Sequence, residues 1–230
     1  MNKIYCAAAL LLLVASGIWV AIPAQGQVAP QPVYTRVIRT QQADFSWDTA
    51  KKGSVKGTLK FSAKRASAPV VIYLKRVDGE GKFTVPDMLE VSQKEARFEP
   101  GFAVMVAGQK AKFLNDEKKE ISHNVYFLGA AEVDLGIFDQ AQSVEHQFTA
   151  AGEVSVHCSI HKNMDAKYFI APSPAFALVE NDATSFTISG VPEGKYQLKT
   201  WQKQKRFKDA EMDVTVEADK EASVTVEMAR

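Results

Sequence analysis

The chain has 230 residues, 46% of them hydrophobic and 24% charged, with a formal net charge of +1. That is the composition of a globular protein with apolar material for one or two cores. It carries no basic surplus, which excludes nucleic acid as an expected partner, because that affinity rests on a concentrated basic face.

The N-terminus reads as a targeting segment. A short basic start, Met1-Asn-Lys3, precedes residues 4–22, an uncharged apolar run broken only by Ser16 and Gly17. Ala24 and Gly26 then place small residues at the −3 and −1 positions of a cut. These features predict a secretory signal peptide over residues 1–26 and a periplasmic protein. The rival is an uncleaved anchor, since the run is just long enough to span a bilayer; without it no membrane contact is expected. Export gives meaning to the cysteine count, which is 2. Cys6 leaves with the signal, and Cys158 remains alone. A lone thiol in an oxidising compartment pairs with another chain, stays buried, or binds a metal.

Residues 28–42 contain Pro and Gln and read as a linker or edge segment. From there the pattern is β. SVKGTLKF (54–61) alternates, and PVVIYL (69–74) is rich in β-branched residues before the turn chemistry of DGEG (78–81). PDMLEVSQKEA (86–96) comes closest to a helical period and predicts a turn or two of helix at most. Short strands follow at 102–107, 111–114, 124–128, 144–148 and 152–158, with Gly, Asn or Asp between most of them. Residues 168–170 precede Pro172 and Pro174, which mark a boundary. Beyond it, 185–188, 195–201, 211–216 and 222–228 read as further strands. The chain is predicted to be all-β, with two sandwiches.

In EVSVHC (153–158) a period of two puts Val154, Val156 and Cys158 on one face and Ser155 and His157 on the other. The valines mark the first face as core, so Cys158 points inward where the strand turns into a loop. That loop brings His161 and Met164. His157 points away. His146 shares a face with Val144 and Phe148 and reads as a packed or rim histidine. His123, at a loop end in ISHNVYF (121–127), occupies a position like that of His161. Two imidazoles, one thiolate and one thioether favour copper over other metals. The charged run NDEKKE (115–120) reads as a solvated loop. No metalloprotease His-Glu-x-x-His, nucleophile elbow or phosphate loop occurs, so an enzyme is not expected.

At these residues the sequence resembles the cupredoxins. ISHNVYF and VHCSIHKNM (156–164) are similar to that family's two metal-binding segments. The Cys-x₂-His-x₂-Met spacing is that of amicyanin rather than the longer loop of plastocyanin. The resemblance covers roughly residues 99–171. It implies a Greek-key β-sandwich with one mononuclear type 1 copper, held by His123, Cys158 and His161 with Met164 axial, and with Asn124 helping to hold the cysteine loop. It implies an exported carrier of single electrons whose partner is a redox protein, a cytochrome or a dehydrogenase. A copper-binding accessory protein for delivery, storage or sensing would use the same ligands, and a metal-free structural module would use none. The loop departs from amicyanin in lacking a proline beside His161, and Lys162 and Asn163 make it more polar.

NDATSFTISGVPEGKYQL (181–198) resembles the second half of carboxypeptidase-regulatory-like, transthyretin-like sandwiches, and residues 54–74 resemble the first half. Its Pro192-Glu-Gly194 is turn chemistry, and Tyr196 and Trp201 are expected to pack that sandwich. The implied organisation is a linker and first half over 27–84, an inserted cupredoxin domain over 85–171, and the second half over 172–230. The combination resembles exported "methylamine utilisation protein"-like chains.

Overall fold

The computed structural model describes residues 47, 49–64, 68–180 and 182–230, and the expected signal peptide lies outside the described residues. Those residues form strands and turns with no helix. All-β is therefore the observed class.

One group of strands comes from both ends of the described chain. β1 (Lys52–Phe61) pairs antiparallel with β13 (Ser185–Pro192) and parallel with β16 (Glu221–Met228). β2 (Val70–Arg76) lies between β12 (Phe176–Val179) and β14 (Gly194–Gln202), and β14 continues to β15 (Glu211–Val216), all antiparallel. Val55, Leu59, Ile72, Leu74, Ile188 and Leu198 share one core, each at most 1% exposed. Gly57 lies opposite Phe186, and a Cβ there would come within 2.4 Å of the ring. Glycine lets that ring lie against the strand.

The second group is continuous in sequence. A five-stranded sheet runs β5 (Phe102–Val106), β11 (Asp165–Ala171), β10 (Gly152–His157), β7 (His123–Gly129), β8 (Val133–Phe138). A four-stranded sheet runs β4 (Arg97–Glu99), β3 (Leu89–Lys94), β6 (Lys110–Asn115), β9 (Ser143–Gln147). Val91, Phe113, Val125, Phe127, Val154, Val156 and Tyr168 belong to the core cluster they share. Two sheets with alternating inward residues closing on one core make a sandwich.

β5 is buried at all five positions. Ala103 and Met105 belong to the core just described, while Phe102, Val104 and Val106 join Val71, Phe169, Phe176 and Trp201 in a separate cluster. Burial on both faces explains why FAVMV is a continuous apolar run rather than an alternating one. Trp201 is the residue that departs from expectation here. Instead of filling the core with Tyr196, it stacks on Phe102 and Phe169 and donates its indole N–H to Glu153 at 2.9 Å.

Residues 86–96 also differ from the reading of a helical turn. They hold β3 and a two-residue hairpin turn, Glu95-Ala96, with φ of 55° and 52°. Positive φ at both central residues suits a tight hairpin, but the usual Asn-Gly or Asp-Gly signal is missing. β4, β8 and β12 were likewise not visible in the sequence, being short or exposed.

Candidate metal centre

The parity argument for Cys158 holds in three dimensions. Val154 and Val156 have no exposure, and Cys158, just past the end of β10, is 4% exposed. His157 turns to the other face and stacks on Tyr126, with ring centroids 5.3 Å apart. His146 packs between Phe127 and Phe148. Burial holds His146 below the ordinary histidine pKa. Neither of these histidines joins the cluster described next.

His123 starts β7, fully buried, and His161 stands in the loop after β10. Their ring centroids lie 4.8 Å apart. The ligand-capable atoms of His123, Cys158 and His161 all fall within 4.8 Å of one another, and Cys158 Sγ is 3.7 Å from His161 Nδ1. A thiolate and an imidazole at that separation are close enough to share one ion, since metal–sulfur and metal–nitrogen bonds are about 2.3 and about 2.0 Å. Met164 is 1% exposed and packs in the same core cluster as Cys158.

The loop is pinned by its own backbone. Cys158 N–H donates to Met164 O at 3.2 Å, and Met164 N–H to His161 O at 3.0 Å. Asn124 ties it to β7. Its backbone N–H points at Cys158 Sγ at 3.4 Å, and its Oδ1 accepts from Ser159 N–H at 3.1 Å. Its Nδ2 donates to Asp134 Oδ1 at 2.7 Å and to Gly136 O at 3.0 Å. Those two acceptors converge because β8 carries an extra residue there, with Gly136 at φ 83°. Asn124 is thereby bonded to Ser159, the first residue after Cys158.

Glu117 was not anticipated. NDEKKE was expected to be solvated, yet Glu117 is only 9% exposed and its Oε1 lies 3.1 Å from His123 Nε2. The same oxygen accepts from Ala96 N–H at 3.0 Å, so the β3–β4 turn braces it. Burial works to raise the Glu117 pKa, but hydrogen bonds from Ala96, Glu95 and His123 outweigh it and leave it below the usual carboxylate value. An ionised carboxylate only accepts, so His123 Nε2 must donate and carry the ring proton. Nδ1 then keeps its lone pair, and Nδ1 is buried with no hydrogen-bond partner among the described residues. Burial also pushes the His123 pKa down, with Glu117 opposing and His161 adding to the depression. A buried, neutral imidazole with an orphaned lone pair beside a thiol and a second imidazole fits a soft or borderline metal ion. Mixed charge signs in NDEKKE gave no periodic cue to this bond; only its position six residues before His123 hinted at it.

No protein-family model matches the sequence, and no curated protein does. Solved structures are similar to part of it. The copper-containing nitrite reductase from Thermus scotoductus SA-01 aligns at 19% identity and TM-score 0.35, over 42% of this chain. The aligned part spans only 25% of the nitrite reductase. A reduced variant of amicyanin aligns at 23% identity and TM-score 0.32, over 36% of this chain and 81% of its own. A purple cupredoxin from Nitrosopumilus maritimus aligns at 14% identity and TM-score 0.32, over 36% of this chain and 99% of its own. The structural neighbours of this all-β chain thus include cupredoxins, at low identity and with partial coverage.

Proposed function

We propose that this chain is an exported type 1 copper protein that carries single electrons between redox proteins. The observation that carries the reading is the buried Nδ1 of His123, without a hydrogen-bond partner among the described residues, on a ring that has a donor atom within 4.8 Å of those of Cys158 and His161. On this reading His123, Cys158 and His161 would hold the copper, with the thioether of Met164 as a fourth donor. Copper bound there would supply a one-electron Cu(I)/Cu(II) couple. The protein's part is to hold the donors still. Glu117 orients the ring of His123, Asn124 fixes the Cys158 loop, and the loop's own backbone bonds limit movement of His161. A set of ligands held in place by packing and outer hydrogen bonds needs little rearrangement when charge changes. The donor set leaves no obvious open position for a substrate, which favours a carrier over an enzyme.

The domain reading belongs to the same proposal. Residues 85–171 would be the copper-binding unit, inserted into a sandwich built from 27–84 and 172–230. Pairing of β1 with β13 and β16, and of β2 with β12 and β14, supports it. Residues 1–26 would direct the chain to the periplasm, and the partner would be a cytochrome or a dehydrogenase.

Copper-loaded protein should hold one copper per chain and show the intense visible band of thiolate-to-copper charge transfer. Cys158→Ala should abolish it. A colourless, copper-loaded wild type would sink the proposal. Copper lost on each reduction, in place of reversible cycling, would assign the site to delivery instead.

A further inference from the structure

A basic segment, the β14–β15 connection, lies outside the strands that carry the ligands and reaches their sheet through Lys203, while Lys208 N–H donates to Ala229 O past the end of β16. Residues 203–209 hold Lys203, Lys205, Arg206 and Lys208 against one acid, Asp209. Lys205 pairs with Asp209 at 3.0 Å. Among the described residues, Lys203, Arg206 and Lys208 have no carboxylate within ion-pair distance. In a chain whose formal charge is only +1, this is a local concentration.

Its place in the fold follows from strand register. Asp165 is the partner of His157, the neighbour of Cys158. Lys167 is the next residue on that face of β11, and its partner on β5 is Phe102. Lys203 Nζ sits 5.4 Å from the centre of the Phe102 ring, and Lys205 Nζ 5.4 Å from that of Trp201. Phe102 is two strand spacings from β10 and level with Ser155, three residues before Cys158, which puts it roughly 14 Å from Cys158. Phe102 and Trp201 are stacked, with 6° between their planes, and form an apolar floor under both ammonium groups. Such a floor restrains cations that would otherwise swing freely in water. Lys162, exposed in the ligand loop itself, adds a further positive charge. Acids on this side include Asp165, which attracts Lys203; Glu153, bonded to Lys167 and Trp201; Asp209; and Glu95 and Glu99, which line a hollow with Asn163 and Asp165.

We infer that Lys162, Lys203, Lys205, Arg206 and Lys208 form a docking surface for the acidic face of a redox partner protein, which they bring to the ligand loop. The inference rests on the copper reading above. Complementary charge raises the encounter rate and orients the partner, and both effects weaken with salt. A surface roughly 14 Å from Cys158 orients without covering the metal loop. The flanking sandwich would then supply the partner recognition that the polar ligand loop lacks.

The first test uses metal-free protein and hexacyanochromate(III), a paramagnetic trianion. Amide signals of residues 159–165 and 202–208 should broaden selectively, and Arg206→Glu with Lys208→Glu, both exposed positions, should remove most of that broadening. Lys203→Gln gives a second, charge-only variant. The second test uses the copper(I) protein. Oxidation by hexacyanoferrate(III), one electron per copper, should slow about tenfold from low to physiological salt. Oxidation by the tricationic tris(phenanthroline)cobalt(III) should not slow. Broadening spread evenly over the surface, or the same salt response for both oxidants, would overturn the inference. So would retention of the chain on anionic vesicles or DNA at physiological salt through these same residues. Selective broadening in a protein that forms no visible copper band would defeat the copper reading alone; a blue protein without broadening would defeat only the docking surface.

Discussion

Glu117 reaches His123 from the middle of a charged loop, with Oε1 3.1 Å from Nε2 and both side chains sealed from solvent. That bond sets which ring nitrogen is free. Carboxylates that orient a metal-binding histidine contribute roughly 10–100-fold in metal affinity. Glu117→Gln should therefore weaken Cu(I) binding by about that factor. Competition with a Cu(I) chelator measures it, and an unchanged affinity would remove Glu117 from the site.

Asn124 bonds to two other segments, to Ser159 in the ligand loop and to Asp134 and Gly136 on β8. Truncation leaves the Ser159 amide without its acceptor and takes one donor from Gly136 O and one from Asp134 Oδ1, which keeps Gly136 N–H. Asn124→Ala should cost the metal-free protein about 2 kcal/mol in urea unfolding. Amide exchange at Ser159 should accelerate, because its acceptor is gone. Loss of stability without faster exchange there would mean that Asn124 supports β8 and not the ligand loop.

His146 is held below its ordinary pKa of 6.5 by burial. The folded protein then binds a proton less readily than the unfolded chain. The stability this histidine contributes is complete above pH 6.5, and falls as acid protonates the unfolded state first. Below the depressed folded value no further loss arises from it. Stability of metal-free protein should decline as pH drops below 6.5, and His146→Phe should reduce that slope. An identical slope in the variant would assign the acid sensitivity to other groups.

Gln93 is fully buried, and neither its Oε1 nor its Nε2 has a partner among the described residues. It lies beside Asn115, whose amide is already used by Ile121 O and Phe138 O. An unpaired buried amide costs roughly 1–3 kcal/mol. Gln93→Leu should raise the unfolding midpoint of the metal-free protein. A drop of similar size would show that the amide holds a partner, such as a buried water.

The valines of β10 were enough to turn Cys158 inward, because alternation in a strand is a local property. The residue types of the candidate site were also readable, since Cys158, His161 and Met164 sit within one short loop. Most strands were found from β-branched runs and turn residues. The hairpin of β3 and β4 was not, because Glu95 and Ala96 are not residues that advertise a positive φ. Trp201 was assigned to the wrong core for a related reason. An indole on a strand face is equally at home in either sandwich until its neighbours are known.

By itself, then, the sequence determined an all-β chain, an inward Cys158 and a set of donors suited to copper. Each of these depends on side-chain type and on periods of a few residues. The tertiary structure decided the rest. It brought His123 beside a loop 35 residues further on, buried Glu117 against it, and left Nδ1 of His123 without a partner among the described residues. It also laid Lys203 and Lys205 over the aromatic rings of Phe102 and Trp201. Contacts between residues far apart in the chain are set by how sheets pair and pack, and no short-range pattern encodes which charged side chain will be sealed against which ring.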